Sequence, residues 1–295
     1  MSPAGGGMSC GVDVGGTTVK ALLVDDGVVV REHRAPTPVP DTDGSRVVSA
    51  VARAVTALDP PEGTPIGVAV PGVVDEERGT AILSANIGFR DAPLAAALTA
   101  VLDRPVAFGQ DVRAGALAER HSGAARDAAG PVVFVPVGTG VAAAILIGET
   151  ALVSGGWAGE IGQQLIAAGP HAGRRVEEVA SASALARRAH APDARAVAVR
   201  VAEGDPDAVA AWTDTVETLA DALAGLTTAV GAATIVVGGG LSEAGPLLLD
   251  PLAVALARRL PGLRMPRVVA ARHGDRAGAI GAALLASRLL PRGAA

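Results

Sequence analysis

Aromatic and sulfur-containing side chains are nearly absent from this chain. Of its 295 residues only 2% are aromatic, tyrosine does not occur, and the hydrophobic fraction of 49% consists mainly of Ala, Val and Leu. Such a composition favours a core of small aliphatic side chains and leaves few rings on which nucleobases could stack. Cys10 is the only cysteine, so neither a disulfide nor a thiolate zinc cage can form within one chain.

An excess of basic residues is also missing. The formal net charge is −5 and the isoelectric point is about 5.6, which argues against nucleic acid as the main partner. No apolar run reaches membrane-spanning length without Gly, Pro or charge. Residues 1–7 are polar and rich in Gly rather than typical of a secretory signal. We expect a cytoplasmic protein that has no membrane partner, with residues 1–8 as a loose tail.

The length allows two domains with sizeable cores, and the pattern of elements supports an α/β fold. The first half predicts strands at 9–14, 18–24, 27–33, 66–70, 81–84 and 106–108, with helices at 44–58, 92–102 and 112–121. The second half predicts strands at 131–137, 141–147, 234–237 and 267–270 and, from residue 175 onward, helices that include 207–230, 247–260 and 277–289. Each half opens with a strand, a turn of small residues and a second strand.

The opening turn has the chemistry of a phosphate-binding loop. Asp13 ends an apolar strand, where its carboxylate can hold a hydrated cation, and Gly15 and Gly16 let backbone N–H groups approach an anion. Thr17 and Thr18 add hydroxyl donors. The turn joins two strands, unlike the strand-to-helix loops of Rossmann and Walker type. A plain hairpin turn is the alternative for a Gly-Gly pair.

Lys20 is the only lysine of the chain. Its place beside the turn indicates a local role in binding phosphate, and an ordinary strand residue is an equal alternative.

Several motifs taken together resemble one known family. They are 13–18, the segments VPGVVD (70–75), SANIGF (84–89) and QDVRAGALAE (110–119), and then GTG (138–140), AGEIG (158–162), EEVAS (177–181) and GGG (238–240). In this combination the chain resembles the actin-like ATPase superfamily of sugar kinases, and within it the ROK family of bacterial sugar kinases and repressors. The resemblance runs from about Ser9 to Leu290.

The resemblance implies two actin-like (ribonuclease H-like) α/β domains with a cleft between them. The N-terminal domain would comprise residues 1–112, with the C-terminal helix 277–291 packing back on it, and the larger C-terminal domain residues 113–276. It also implies a homodimer. Family repressors carry a DNA-binding winged helix before this core. Only about nine residues precede the first predicted strand here, too few for such a helix pair, so we expect a kinase.

The resemblance also implies the reaction and its residues. Phosphoryl transfer to a sugar hydroxyl needs a base, a metal on the donor and donors around the moving phosphate. Asp111 is the predicted base, at a helix N-terminus that favours its ionised form, although a helix cap is the simpler role for an Asp there. Asp13 is predicted to hold Mg²⁺ through water. ATP binding is assigned to Asp13, Gly15, Gly16, Thr17, Thr18, Lys20, Gly138, Thr139, Gly140, Gly238, Gly239 and Gly240.

Sugar binding is assigned by the same resemblance to Gly72, Asn86, Gln110, Asp111, Glu160, Gln163 and Glu177. Amide and carboxylate groups suit adjacent hydroxyls because they donate or accept in pairs. Trp157 is either a wall of this pocket or a packing residue. Arg90, Asp91 and Arg113 are interpreted as charges at the surface or at a helix start.

The chain departs from the family in its zinc loop. Many relatives have a His after the Gly-Glu-Ile-Gly motif and three cysteines that together bind structural zinc. Here Gln163 takes the His position, and the cysteine stretch reads AGPHAGRR (168–175). His171 without thiolates cannot assemble a tetrahedral zinc site, so we predict a zinc-free enzyme whose loop is held by packing.

The predicted function is therefore an ATP-dependent sugar kinase, glucokinase-like, that phosphorylates a hexose hydroxyl. Gln110 and Gln163 keep other substrates open, among them an amino sugar, a rarer hexose or a cyclitol. A sugar-binding regulatory protein that has lost catalysis is a third possibility. Ala142 beside the second glycine turn and the lost zinc site favour it mildly, while the intact Asp13, Thr17, Asp111 and Glu160 argue against it. The sequence does not decide between ATP and polyphosphate as donor.

Overall fold

The computed structural model describes residues 7–289, which contain thirteen strands and nine α-helices. The strands are β1 (Met8–Val14), β2 (Thr18–Asp25), β3 (Val28–Pro36), β4 (Ile66–Val70), β5 (Val73–Asp75), β6 (Thr80–Leu83), β7 (Arg90–Ala92), β8 (Val106–Gln110), β9 (Val132–Pro136), β10 (Ala144–Ile147), β11 (Thr150–Ala151), β12 (Thr234–Gly238) and β13 (Arg267–Ala270). The helices are α1 (Ser45–Leu58), α2 (Leu94–Leu102), α3 (Asp111–His121), α4 (Val176–Ala180), α5 (Ala182–Arg188), α6 (Ala194–Ala202), α7 (Pro206–Val230), α8 (Pro246–Arg259) and α9 (Ala277–Ser287).

The chain divides into two compact units. Unit 1 comprises the residues up to Ala118, the segment Val153–Trp157 and the residues from Arg276 onward. Unit 2 comprises Glu119–Leu152 and Ala158–Asp275. Residues 1–6 of the predicted tail, and residues 290 and 291 of the predicted C-terminal segment, lie outside the described residues. No helix within residues 7–289 is long and apolar enough to cross a bilayer.

Unit 1 is built on a five-stranded sheet with the order β3-β2-β1-β4-β8. Strands β1, β4 and β8 are parallel, and β1, β2 and β3 form an antiparallel meander. Helix α1 contributes a stripe of buried apolar residues at helical spacing, which is the pattern of a helix packed on one face; its members are Val47, Val48, Val51, Ala54, Val55 and Leu58. A small antiparallel sheet, β5-β6-β7, completes the unit.

Helix α9 lies very close to the sheet of unit 1. A Cβ placed on Gly11 would lie 2.0 Å from the carbonyl oxygen of Ala279, and one on Gly67 would lie 1.9 Å from that of Ala282. Any side chain at these glycines would therefore push the helix away. Glycine in β1 and β4 and alanine in α9 explain why the last helix can pack directly over the parallel strands.

Unit 2 carries a second five-stranded sheet, β11-β10-β9-β12-β13. Strands β9, β12 and β13 are parallel, while β10 and β11 continue antiparallel from β9. Its longest helix, α7, begins with Pro206 after the capping residue Asp205 and ends at Val230, before Gly231, which has φ +63°. Proline inside the first turn and a left-handed glycine after the last are standard helix ends.

The predicted α/β pattern is confirmed, with local differences. Two three-residue strands, β5 and β7, have no counterpart in the prediction, and the predicted strand 141–147 is regular only from Ala144. Val141 makes an isolated bridge with Val137. Ala143 leaves the ladder because its N–H donates to the carbonyl oxygen of Gly159 at 2.8 Å. The last helix ends at Ser287, two residues earlier than predicted.

Candidate active site

The first glycine turn connects β1 to β2 and is fixed by a residue outside it. The Gly15 N–H donates to the carbonyl oxygen of Thr18 at 2.9 Å, which closes the hairpin. Thr37 then binds the turn twice: its hydroxyl donates to the carbonyl oxygen of Gly15 at 2.7 Å, and its N–H donates to that of Thr17 at 3.0 Å. Sequence reasoning missed Thr37, because nothing local marks a residue that acts across two strands.

Asp13 lies against the first turn of α9. A Cβ placed on Gly278 would be 2.6 Å from Cγ of Asp13 and 2.7 and 2.8 Å from its two carboxylate oxygens. The second residue of the helix must be glycine for the carboxylate to occupy this place. A helix N-terminus carries partial positive charge, so the position stabilises ionised Asp13. A carboxylate held in this form is a suitable oxygen donor for Mg²⁺.

Lys20 stands directly opposite Asp13 in the antiparallel β1–β2 ladder. Opposite residues of such a pair project from the same face of the sheet. Lys20 is only 7% exposed, so most of the residue is buried. The phosphate-binding role predicted for Lys20 stays a prediction.

Asn86 is a neighbour of the first turn. A Cβ placed on Gly16 would lie 3.4 Å from Cβ of Asn86, so a predicted sugar residue and a predicted phosphate residue adjoin. Gly72 has a different structural reason to be glycine. It has φ +101°, and a Cβ there would lie 2.1 Å from the carbonyl oxygen of Leu83.

Asp111 is the first residue of α3, directly after the edge strand β8. Its Oδ1 accepts a hydrogen bond of 2.8 Å from the N–H of Val112. The preceding residue, Gln110, is 5% exposed, and its Oε1 accepts the N–H of Arg113 at 2.9 Å. Gln110 therefore caps the helix, which is the role that the sequence analysis offered as the alternative for Asp111.

The second and third glycine turns adjoin each other in unit 2. Gly239 has φ +74°, and a Cβ on it would lie 2.5 Å from the carbonyl oxygen of Val137, the residue before the turn 138–140. The Val137 N–H donates to the carbonyl oxygen of Gly238 at 2.9 Å. The parallel strands β9 and β12 thus bring turns 138–140 and 238–240, far apart in sequence, to one end of the sheet.

A cavity of about 420 Å³ opens beside the third turn. Helix α6 forms one wall, and Gly240 and the residues that follow it form the other. Most lining side chains are aliphatic, and Arg195 and Glu243 are the charged ones. This open depression has the volume and the mainly apolar lining to accept the ring system of a small molecule.

Glu177 connects the second turn with the predicted sugar residues. Its Oε1 accepts a hydrogen bond of 2.8 Å from Nε2 of Gln163. Its Oε2 lies 3.1 Å from a Cβ placed on Gly140 and 3.2 Å from one on Gly162. Glu160 begins the 3₁₀ turn Ile161–Gln163, and its carbonyl oxygen accepts the Gln163 N–H at 3.1 Å. Gln163, Glu177 and Gly140 therefore form one contiguous group.

The loop at the family's zinc position is fastened by a hydrogen bond to a helix. Nε2 of His171 lies 2.9 Å from Oδ2 of Asp214 in α7, and Arg188 binds the same carboxylate oxygen. The loop itself is a hairpin with a bridge between Leu165 and Arg175. The sequence analysis expected packing to hold this loop; in the structure the bridge and the His171–Asp214 hydrogen bond hold it as well. Within residues 7–289 no group of three or more His, Cys, Asp or Glu side chains is arranged to hold a metal ion, and the zinc-free enzyme stays a prediction.

The structure also bears on Arg113 and Trp157. Arg113 does lie in the first turn of α3, as one of its two predicted places, but the prediction of a surface charge is wrong, because the residue is 3% exposed and its guanidinium binds Glu76. Trp157 is 59% exposed, so it does not serve mainly as packing.

Cys10, in β1, supplies no nucleophile to the site. Burial raises the pKa of its thiol to about 12, while the positive charge of Arg104 acts weakly in the opposite direction.

Comparison with known proteins identifies the family. The profile of the ROK family matches residues 9–289, nearly the whole chain. The chain belongs to the ROK family. Its actin-like α/β fold, which the motifs implied, is confirmed with it.

The similarity extends to the structures of ROK kinases. The crystal structure of a ROK family glucokinase from Streptomyces griseus, in complex with glucose and AMPPNP, superposes with a TM-score of 0.83 at 28% identity, covering 96% of this chain and 100% of that one. A glucokinase of Streptomyces coelicolor is 33% identical over 145 residues, 48% of this chain and 44% of the relative. An N-acetylmannosamine kinase of Salmonella arizonae is 32% identical over 157 residues, 51% of this chain and 52% of the relative. The matched part thus spans about half the length of these two curated relatives.

The predicted residues of this ROK protein fall into three local groups. In unit 1, Asp13 and the first turn adjoin Asn86, and Gln110 and Asp111 stand at the start of α3. In unit 2 the two remaining glycine turns adjoin each other, and Glu177 joins Gln163 to the nearer of them. Each group combines a glycine turn or a helix terminus with oxygen- or nitrogen-bearing side chains.

Proposed function

We propose that this ROK protein is an ATP-dependent sugar kinase that transfers the γ-phosphate to a hydroxyl of a hexose. The observation that carries the proposal is the full-length likeness to a glucokinase whose crystal structure holds glucose and AMPPNP. The local geometry supports it, because each element that phosphoryl transfer requires has a candidate among the described residues.

Asp111 is the proposed general base. Its carboxylate stands at the N-terminus of α3, where the helix dipole favours the ionised form that can accept a proton. It would take the proton of the sugar hydroxyl while that oxygen attacks the γ-phosphorus. The bond from phosphorus to the bridging oxygen breaks, and ADP carries the electron pair away. The products are a sugar phosphate, ADP and the proton held by Asp111.

The nucleotide is proposed to use the two adjoining turns of unit 2. The cavity beside Gly240 would take the adenine ring between α6 and the residues after the third turn. Backbone N–H groups of 138–140 would face the phosphates, as glycine permits close approach of backbone to an anion. Thr139 can add a hydroxyl donor.

The residues around Asp13 fit Mg²⁺. Asp13 ends the strand that leads into the turn with Thr17 and Thr18, and this metal commonly binds through one carboxylate, water and substrate phosphates. Asp13 would therefore hold the ion without a cluster of several acidic side chains. When bound, Mg²⁺ neutralises charge on the phosphates. Asp13 and the first turn are proposed to orient the donor for transfer.

Glu177, Gln163, Glu160 and Asn86 are proposed to bind the sugar. A hexose such as glucose is the first candidate, because one of the whole-chain matches is a glucokinase with bound glucose. An N-acetylated amino sugar is the second, supported by the similarity to N-acetylmannosamine kinases. The pair Gln163–Glu177 presents an amide and a carboxylate side by side, and such a pair can bind two adjacent hydroxyls.

A coupled assay of ADP release tests the proposal across glucose, mannose, N-acetylmannosamine, N-acetylglucosamine and inositol, with ATP and with polyphosphate as donor. We expect sugar-dependent ADP release with at least one of them, and a loss in kcat of about 10²- to 10⁴-fold in Asp111→Asn. Comparable turnover of the variant would discard the proposed base. Tight sugar binding by calorimetry without turnover would instead indicate a regulatory protein.

A further inference from the structure

A closed ring of hydrogen bonds surrounds the junction between β8 and α3, where Asp111 stands. Oε1 of Glu76 accepts two donors: the backbone N–H of Gln110 at 3.1 Å and Nε of Arg113 at 2.8 Å. The backbone N–H of Arg113 in turn donates to Oε1 of Gln110 at 2.9 Å. The ring thus passes through the residue before Asp111 and the residue two after it.

The ring is also anchored outside the junction. Nη2 of Arg113 donates to the carbonyl oxygen of Val74 in β5 at 3.1 Å. The Arg113 side chain is 4% exposed and that of Glu76 is 26% exposed. A guanidinium that is buried this deeply requires a carboxylate partner, because an unpaired charge in the interior is strongly unfavourable. Glu76 is that partner, so the two residues depend on each other.

We infer that Arg113 and Glu76 are positioning residues for Asp111, and this inference rests on the proposed function for the role of Asp111 as base. Neither residue is among those assigned to direct binding of sugar or ATP. Their effect is exerted through the backbone at 110 and 113, which fixes where the first turn of α3 begins. That turn sets the direction of the Asp111 carboxylate.

A base requires such support more than a binding residue does. A general base must stand within hydrogen-bond distance of the proton that it removes, and a displacement of about 1 Å can reduce the rate about 100-fold. A side chain at the first position of a helix has no preceding turn to hold it. In this protein the Val112 N–H donates a hydrogen bond to the Asp111 carboxylate. That N–H keeps its position only if the first turn of α3 is held in place.

The test compares Glu76→Gln, Glu76→Ala, Arg113→Lys and Arg113→Met with the wild type. Glu76→Gln keeps the shape and one acceptor oxygen, and Arg113→Lys keeps the charge, so both should fold. We expect kcat per folded molecule to fall about tenfold or more in Glu76→Ala and Arg113→Met, with the KM values for sugar and ATP changed less than about threefold. The conservative variants should recover part of the loss.

The chain offers a matched control in Glu32→Gln. Glu32 is also a carboxylate of unit 1 paired with arginines, Arg34 and Arg276, but it belongs to β3, at the opposite edge of the sheet from β8. Removing its charge should lower stability without changing kcat. An equal loss of kcat in Glu32→Gln and Glu76→Gln would assign the effect to general destabilisation and overturn the inference.

A crystal structure of Arg113→Met separates this inference from the proposed function. We expect the Asp111 carboxylate to leave its contact with the Val112 N–H, or the start of α3 to move. An unchanged carboxylate position overturns the inference whatever the enzyme assay gives. If no sugar in the panel is phosphorylated by the wild type, the proposed function fails, while the crystallographic comparison still decides whether Arg113 and Glu76 position residue 111.

Discussion

The side-chain amide of Gln163 donates a hydrogen bond of 2.8 Å to the carboxylate of Glu177. This contact joins the 3₁₀ turn after Glu160 to the first turn of α4, and the second oxygen of Glu177 lies beside Gly140. A residue proposed to bind sugar therefore also contacts a turn proposed to bind phosphate. The contact gives this part of unit 2 a definite geometry that single substitutions can test.

Glu177→Gln should weaken sugar binding more than nucleotide binding. The variant keeps the volume of the side chain but loses its charge, and a hydrogen bond to a charged group contributes about 1.5–3 kcal/mol. The KM for the preferred sugar should rise about 10- to 100-fold, since each 1.4 kcal/mol corresponds to a factor of ten. Initial-rate kinetics with ATP held at saturation measure the change.

Glu178→Gln is the control for this prediction. Glu178 follows directly in α4, and its carboxylate accepts the N–H of Arg175 at 2.8 Å, so it closes the helix start instead of meeting Gln163. Its substitution should leave the KM for sugar within about twofold of wild type while lowering Tm slightly. A wild-type KM in Glu177→Gln would show that Glu177 is not a sugar ligand.

Filling the cavity beside Gly240 should weaken ATP binding and leave sugar binding unchanged. Ala198 lines this cavity from α6, and tryptophan in its place would occupy the volume proposed for adenine. The KM for ATP should rise at least about tenfold, with the KM for sugar unchanged. Val254→Trp, at a 57% exposed position of α8, controls for the added indole. If Ala198→Trp has the same KM for ATP as the wild type, adenine binds elsewhere or the phosphate donor is not a nucleotide.

Cys10 should be inert in the folded protein. Its thiol is fully buried, and burial raises its pKa to about 12, so almost no thiolate forms at pH 8. Native protein should release no detectable thionitrobenzoate from Ellman's reagent over an hour, whereas protein unfolded in guanidinium should release one equivalent per chain, since it has one cysteine. Rapid reaction of the native protein would show that β1 opens readily.

The sequence allows accurate prediction wherever a local pattern decides the structure. The strands of the first hairpin are confirmed to within about one residue, because the apolar runs on either side of the Gly-Gly turn have only one way to pair. The start of α7 is also predicted to within one residue, since Pro206 follows a capping aspartate. Strands β5 and β7 are not predicted. Each has three residues and is defined by its pairing with β6, and no local sequence pattern indicates that pairing.

For the candidate site the sequence indicates residues, whose roles stay predictions, but it does not indicate their contacts. Gln110 and Arg113 show the difference, because their roles depend on Glu76, which lies 34 and 37 residues earlier in the chain. The sequence did contain one signal. An arginine within Val-Arg-Ala-Gly-Ala-Leu-Ala stands among apolar and small residues on every side, and such a helix is buried all round, so its charge needs a partner. The identity of that partner requires the fold.

The start of α7 gives a prediction for acid stability. Asp205 accepts the N–H groups of Asp207 and Ala208 at 3.0 and 3.1 Å and binds Arg200 at 3.0 Å. Its pKa is lowered, chiefly by the hydrogen bond from Ala208 and then by Arg200. A lowered pKa in the folded state means that the unfolded chain binds the proton more readily. The stabilisation is therefore present above the unfolded pKa of about 3.9 and is lost as the pH falls through the folded value.

Thermal unfolding of Asp205→Ala and wild type at pH 7 and at about pH 3 tests this sign. At pH 7 the variant should melt at a lower temperature, because it lacks both the cap and the ion pair. At the acid pH the two Tm values should converge, since wild-type Asp205 is then increasingly protonated. Asp205→Asn, which keeps the capping oxygen, should lie between them at pH 7. A gap that stays constant from pH 7 to pH 3 would mean that the side chain acts through packing and not through its charge.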